Sequence, residues 1–320
     1  MTGDRTHAGT AAHPGAAVAA GPVPGPARVA GPDAPWEELG AALERFGHTV
    51  LWSRTPDWQV GDERELGLSQ REFTRAAALS GRRRPAFVTS RLLLRHAAAH
   101  ALGAAPADID VARAPEGRPF LRGCEELDVS VSHTGDLAVV ALSRSGRVGV
   151  DVESATRPVA GLGAEVLTAH ELAALAQLPD PHRARALLRL WTLKEAYAKA
   201  LGHGLRLPFA SFGFAPLPQE RATASASADA DGPVRLVTAD GALVDAPGWR
   251  FRTRGVAGDH LLALALGPGP HPSSPGLDAA LAAAVLSAPR PAAVRGTGPR
   301  TASPGTAAAA AATARSRAPR

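Results

Sequence analysis

Residues 127–153 constrain the fold more than any other stretch of this chain. LDVSVSH (127–133) alternates, with Leu127, Val129 and Val131 on one side and Asp128, Ser130 and Ser132 on the other. Thr134-Gly135-Asp136 is a turn sequence, and LAVVAL (137–142) is an apolar run of strand length. Ser145-Gly146 turns the chain again, and VGVDVE (148–153) restores the alternation. Period-two patterning broken by turn residues predicts three successive strands, read as an antiparallel meander. On both sides of it the period becomes helical. Ser69 with Glu72 forms a capping-box pattern before a helix over 70–80, and Thr168 with Glu171 does the same for another. Phe87, Leu92, Leu94, Ala98 and Leu102 give 86–102 an apolar stripe that Gly103 ends. The longest helical pattern covers 181–201 and ends at Gly202. Further strands are expected at 234–238, 249–254 and 260–266. This mixture predicts an α/β (α+β) fold.

The two ends of the chain differ from its middle. Residues 1–33 and 268–320 are rich in Ala, Gly and Pro and poor in large apolar side chains. They cannot offset the entropy of ordering and are expected to be disordered tails around a core at 34–267. The Ala/Ser/Asp/Pro-rich 215–232 is expected to be a surface loop. The formal charge of +5 sits in the C-terminal tail, where six arginines face Asp278 alone. The core holds 27 basic and 27 acidic residues, so no nucleic-acid partner is expected. Cys124 is the only cysteine, which excludes an internal disulfide. No run of 18 apolar residues is present and the Ala-rich start is broken by Gly and Pro, so neither a membrane span nor a signal peptide is expected. The expected location is cytoplasmic.

Four motifs carry chemistry. On a strand, Gly149, Asp151 and Glu153 share the face opposite Val148, Val150 and Val152. Two carboxylates side by side repel unless a cation lies between them, and hard oxygen donors favour Mg²⁺, with Mn²⁺ as an alternative. Gly149 beside them reads as space for a bulky ligand. A solvated polar strand face is the other reading. The second motif is WTLKEAYAKALGHGL (191–205). It holds Lys194 and Lys199, the only lysines among 35 basic residues, and Tyr197, the only tyrosine. Retaining lysine only there points to a need for an ammonium group. Glu195 and Lys199 share a helix face, as an ordinary surface pair would. Third, Ser132 and His133 lie beside a turn and can donate to a phosphate. Adjacent strand residues point to opposite faces, which excludes a Ser–His hydrolase pair. Last come arginines suited to phosphates: Arg118 in GRPFL (117–121), Arg91, and Arg82, Arg83 or Arg84.

In their order and spacing, GRPFL, VSVSHTG, VGVDVE and WTLKEAYAKALGHGL resemble the motif set of 4'-phosphopantetheinyl transferases of the surfactin-synthetase-activating (Sfp) type. The resemblance covers about 68–267 and is strongest over 117–205. It implies two similar α/β halves, 34–143 and 144–267, related by pseudo-twofold symmetry with coenzyme A between them. It implies that Asp151, Glu153 and Glu195 hold Mg²⁺ and that Lys199 meets the pyrophosphate. Ser132 and His133 would contact the 3'-phosphate end of coenzyme A. Arg118 stands where the family commonly has lysine, and Arg91 corresponds to a basic residue near the nucleotide. The implied reaction moves phosphopantetheine to a serine of an apo acyl or peptidyl carrier protein and releases adenosine 3',5'-bisphosphate. Glu195 is then either the third metal carboxylate or the base for the serine. A monomer without a membrane partner is expected. Two alternatives use the same residues: another Mg²⁺-dependent phosphotransfer, and a coenzyme A-binding protein without catalysis.

Overall fold

The computed structural model describes residues 23–59, 61–159, 161–203, 206–215 and 234–269. Of the loop expected at 215–232, Ala215 is in a strand and the rest lies outside the described residues, as do Gly204, the tail from 270 onward and residues 1–22. The first part contains β1 (Ala27–Arg28), α1 (Trp36–Phe46), β2 (His48–Arg54), α2 (Gln70–Ala77) and α3 (Arg83–Leu102). A short hairpin of β3 (Val111–Arg113) and β4 (Pro119–Leu121) leads into β5 (Asp128–Thr134), β6 (Leu137–Ser143) and β7 (Arg147–Ser154). Then follow α4 (Gly163–Val166), α5 (Ala169–Ala176) and α6 (Asp180–Leu201). The pair β8 (Phe212–Ala215) and β9 (Arg235–Thr238) precedes β10 (Arg250–Val256) and β11 (His260–Gly267). The mixed α/β class expected from the sequence is the one observed.

Local chemistry fixes the helix ends. Ser69 Oγ accepts from the Glu72 amide and the Glu72 carboxylate accepts from the Ser69 amide, which closes the capping box before α2. Thr168 and Glu171 do the same before α5. Gly103 and Gly202 end α3 and α6 in the left-handed region, at φ 64° and 75°.

Two sheets carry the fold. One has the order β1-β2-β6-β5, the other β10-β11-β7. The run 137–142 is continuously apolar because β6 is buried on both faces. Ala138, Val140 and Leu142 pack with Leu92, Leu94 and Ala98 of α3. Leu137, Val139 and Ala141 pack with Val148, Val150 and Val152 of β7 and with Leu262, Leu264 and Leu266 of β11. On the far side of the second sheet, Ala263 and Ala265 of β11 share a core with Ala196, Ala200 and Tyr197 of α6. The ring of Tyr197 meets Phe212, Phe214, Trp249 and Phe251 edge-on, so the single tyrosine is a core residue.

Two sequence expectations are corrected here. The meander stops after two strands: β5 and β6 pair, but β7 pairs with β11 instead of β6. The side of β5 that reads as polar explains why. Asp128 Oδ2, Ser130 Oγ and Ser132 Oγ accept from the amides of Val148, Val150 and Val152 at 2.8, 3.0 and 3.3 Å. Side chains of one sheet thus satisfy the free edge of the other, where a neighbouring strand would normally do so. The N-terminal tail is also shorter than composition indicates. Residues 27–28 pair in parallel with β2, and Val23 and Val29 are buried.

Candidate active site

The seam between β5 and β7 runs beneath the C-terminal turns of α6, and there a cleft of about 310 Å³ opens. Its lining includes Ser90, Arg91, Arg113, Arg118, His133, Glu195 and Lys199. Trp191, Glu195 and Lys199 recur every four residues on α6, so they form one stripe. That stripe faces the carboxylates of β7. Lys199 Nζ donates to Asp151 Oδ1 at 2.7 Å and to the Val150 carbonyl at 3.1 Å. Trp191 Nε1 donates to Glu153 Oε1 at 3.2 Å.

Gly149 makes this approach possible, though not by leaving room for a ligand. A Cβ at Gly149 would collide with the Ala196 carbonyl oxygen and the Ala200 amide. The missing side chain admits the backbone of α6, which corrects the reading from sequence. Two and four residues further along β7, Asp151 and Glu153 emerge beside the helix, where polar atoms can reach them.

Each proposed site residue can now be placed. Asp151 is buried, with Oδ1 accepting from Ser132 Oγ and Lys199 Nζ, both at 2.7 Å. Its Oδ2 is buried without a partner among the described residues. Ser132 Oγ thus donates to Asp151 and accepts from the Val152 amide. His133 projects at the cleft rim. Partial burial, then the charges of Lys199 and Arg91, lower its pKa. Arg118 lines the cleft and is held by several partners. Its guanidinium grips both oxygens of Asp128, at 2.8 and 2.7 Å. It donates as well to the Val148 carbonyl and, at 2.7 Å, to the Lys199 carbonyl. Arg118 thus ties α6 to both sheets. Arg84 pairs with Glu63, while Arg82 and Arg83 are exposed and do not line the cleft.

Arg91 differs from these. It is buried, stacks over Phe87 at 5.4 Å, and has no hydrogen-bond or ion-pair partner among the described residues. Burial, then the nearby Arg113, lower its pKa to about 10. A buried guanidinium among like charges, facing a cleft, is a ready anion site. Arg113 lines the same cleft and was not identified from sequence. The signal lay in the hairpin, because Arg113 pairs across it with Pro119 of the GRPFL motif.

The acidic wall carries excess negative charge. Burial, then Asp151 and then Glu153, outweigh Lys199 and Arg157 and raise the Glu195 pKa to about 7. Burial followed by Asp151 raises that of Glu153. Among the described residues, no group of three His, Cys, Asp or Glu side chains is assembled as a finished metal cage. The donors nevertheless fit a hard cation. They are carboxylate oxygens that repel one another, and Asp151 Oδ2 is orphaned and buried where a cation would satisfy it.

Comparison with known proteins agrees with this arrangement. The profile of the 4'-phosphopantetheinyl transferase superfamily matches residues 147–248, and that of the 4'-phosphopantetheinyl transferase N-terminal region matches 78–145. An L-aminoadipate-semialdehyde dehydrogenase-phosphopantetheinyl transferase of Eremothecium gossypii is 33% identical over 177 residues, 52% of this chain and 64% of that protein. The 4'-phosphopantetheinyl transferase HetI of Nostoc sp. is 32% identical over 124 residues, 37% of this chain and 52% of that protein. A 4'-phosphopantetheinyl transferase of Bacillus subtilis is 29% identical over 121 residues, 38% of this chain and 54% of that protein. The chain therefore spans between half and two thirds of the length of these relatives. No helix among the described residues is long and apolar enough to cross a membrane. The two profile matches follow one another through α3, the β5–β7 seam and α6, the elements that build the cleft, and the chain belongs to the 4'-phosphopantetheinyl transferase superfamily.

Proposed function

We propose that this protein transfers the 4'-phosphopantetheine group of coenzyme A to a serine of an apo acyl or peptidyl carrier protein. The observation that carries this reading is one cleft where cations meet a carboxylate group. Arg91, Arg113, Glu195 and Lys199 line it, and Lys199 links it to Asp151, with Glu153 two residues further along β7. Coenzyme A requires both: cations for its phosphates, and a metal site at the pyrophosphate that breaks.

Asp151, through Oδ2, would hold Mg²⁺ or Mn²⁺ together with Glu153 and Glu195. When bound, the ion neutralises charge on the phosphate oxygens. The remaining work belongs to the chain, because phosphoryl transfer depends mainly on positioning and charge. Ser132 orients Asp151 through its hydroxyl. Arg118 holds the Lys199 carbonyl, which fixes where the Lys199 ammonium sits. Lys199 steadies the departing bisphosphate. Arg91 and His133 bind the nucleotide end of coenzyme A. Glu195, with a pKa of about 7, is suited to take the serine proton at neutral pH. Its alternative role is the third oxygen donor to the ion, and Mn²⁺ affinity of Glu195→Gln separates the two. A monomer of two similar halves, 34–143 and 144–267, working in the cytoplasm, completes the proposal.

The experiment is product release. Adenosine 3',5'-bisphosphate is measured by chromatography with and without apo-carrier. Release that requires both carrier and divalent cation is expected. Release without carrier would identify a different phosphotransfer. No release, with coenzyme A still bound, would identify a binding protein.

A further inference from the structure

Glu153 is engaged on two sides in a way the reaction does not explain. Trp191 donates to its Oε1, and so does the guanidinium of Arg157, four residues along the chain. Arg157 also stacks over the Trp191 ring, its Cζ 5.2 Å from the centroid. It stands just after β7, and its side chain is about one third exposed, 36% against 11% for Glu153. Its charge reaches Glu195 as well as Glu153. Arg157 therefore lies on the outer side of the carboxylate group, opposite Lys199, with an aromatic face to rest on and solvent behind it.

We propose that Arg157 is a built-in counter-ion that competes with the divalent cation for Glu153 and so sets the affinity of the metal site. This rests on the reading of Asp151, Glu153 and Glu195 as the metal carboxylates. The argument is one of charge and access. With two of its carboxylates already holding Lys199 and Arg157, the group has less to gain from an added cation. Lys199 is deep and braced by Arg118 through its own carbonyl. Among the described residues no such brace holds Arg157, and of the two partners in this part-buried pair it is the more exposed. It is therefore the charge that can leave. The Trp191 ring, over which Arg157 already stacks, would keep the released guanidinium nearby through the same cation–π contact.

The test is direct binding of Mn²⁺ to the full chain, read from the electron paramagnetic resonance signal of the free ion, without carrier and both without and with coenzyme A. Arg157→Gln should bind Mn²⁺ about three- to five-fold more tightly than the wild type without coenzyme A, as expected when a partly solvent-screened competing charge is removed. Arg157→Lys should fall between them. In an Glu153→Gln background the Arg157 substitution should have no further effect. Thermal melts of all variants establish that each is folded. Unchanged or weaker Mn²⁺ binding by Arg157→Gln, with the wild type binding normally, would overturn the counter-ion role and leave the metal site standing. Failure of the wild type to bind Mn²⁺ in either arm would overturn the site itself, and the inference with it.

Discussion

Lys194 and Lys199 show how one residue type serves two purposes on a single helix. Lys199 reaches the cleft. Lys194 is fully buried, and its ammonium donates to Glu171 at 2.7 Å and to the carbonyls of Val166, Phe209 and Phe212. Glu171 also accepts from the Thr168 and Phe214 amides, so the pair locks α5 and β8 onto α6. Losing one partner of a buried pair leaves the other as an uncompensated charge. Lys194→Met should therefore cost about 3–5 kcal/mol of stability, measured by chemical denaturation. Lys199→Met should cost clearly less, because Asp151 keeps Ser132, yet it should abolish transfer. The scarcity of lysine in the chain singled out both positions. It could not show that one was structural, because the partners of Lys194, Glu171 and three backbone carbonyls, lie 15–28 positions away.

At the scale of elements, the crossing of α6 over β7 decides the geometry of the site. Gly149→Ala places a methyl against helix backbone, which cannot yield as a side chain would. The expected loss is at least ~3 kcal/mol in a thermal or urea melt, with transfer falling in the surviving folded fraction. Elements with local signals were legible in the sequence: α2 and α5 from their capping boxes, α3 and α6 from periodicity and a terminal glycine, and β5 and β6 from alternation around a turn. Of the missed elements, α1 does carry a local signal, since Gly47 ends it in the left-handed region, whereas others depend on remote partners. β1 has only two residues and exists because β2 lies beside it. The pairing of β7 with β11, more than 100 residues later, leaves no local trace. Motif spacing grouped Asp151, Glu153, Glu195 and Lys199 into one expected site, while the partners that hold Ser132 and Arg118 left no such trace. Their partners, Asp151 and Asp128, are close in space through contacts that spacing does not reveal.

At the scale of the whole molecule, the first sheet carries a pH dependence separate from the site. His48 is buried on β2, its Nδ1–H donating to the Phe46 carbonyl and its Nε2 lacking a partner among the described residues. Burial lowers its pKa from 6.5 to about 4. The unfolded chain therefore takes up a proton near pH 6.5 that the folded chain refuses until about pH 4. Stability contributed here is present above the higher value, declines as pH falls through this window and is lost below it. His48→Asn should flatten that part of the stability–pH profile relative to the wild type, measured by melts at a series of pH values. The central claim, that the cleft of this molecule moves phosphopantetheine by means of the Asp151 group, is tested most directly by the mass of an apo-carrier incubated with coenzyme A and Mg²⁺. The account predicts one added phosphopantetheine with the wild type and none with Asp151→Asn, although that variant melts normally and still binds coenzyme A. Full modification of the carrier by Asp151→Asn, or none by the wild type, would contradict it.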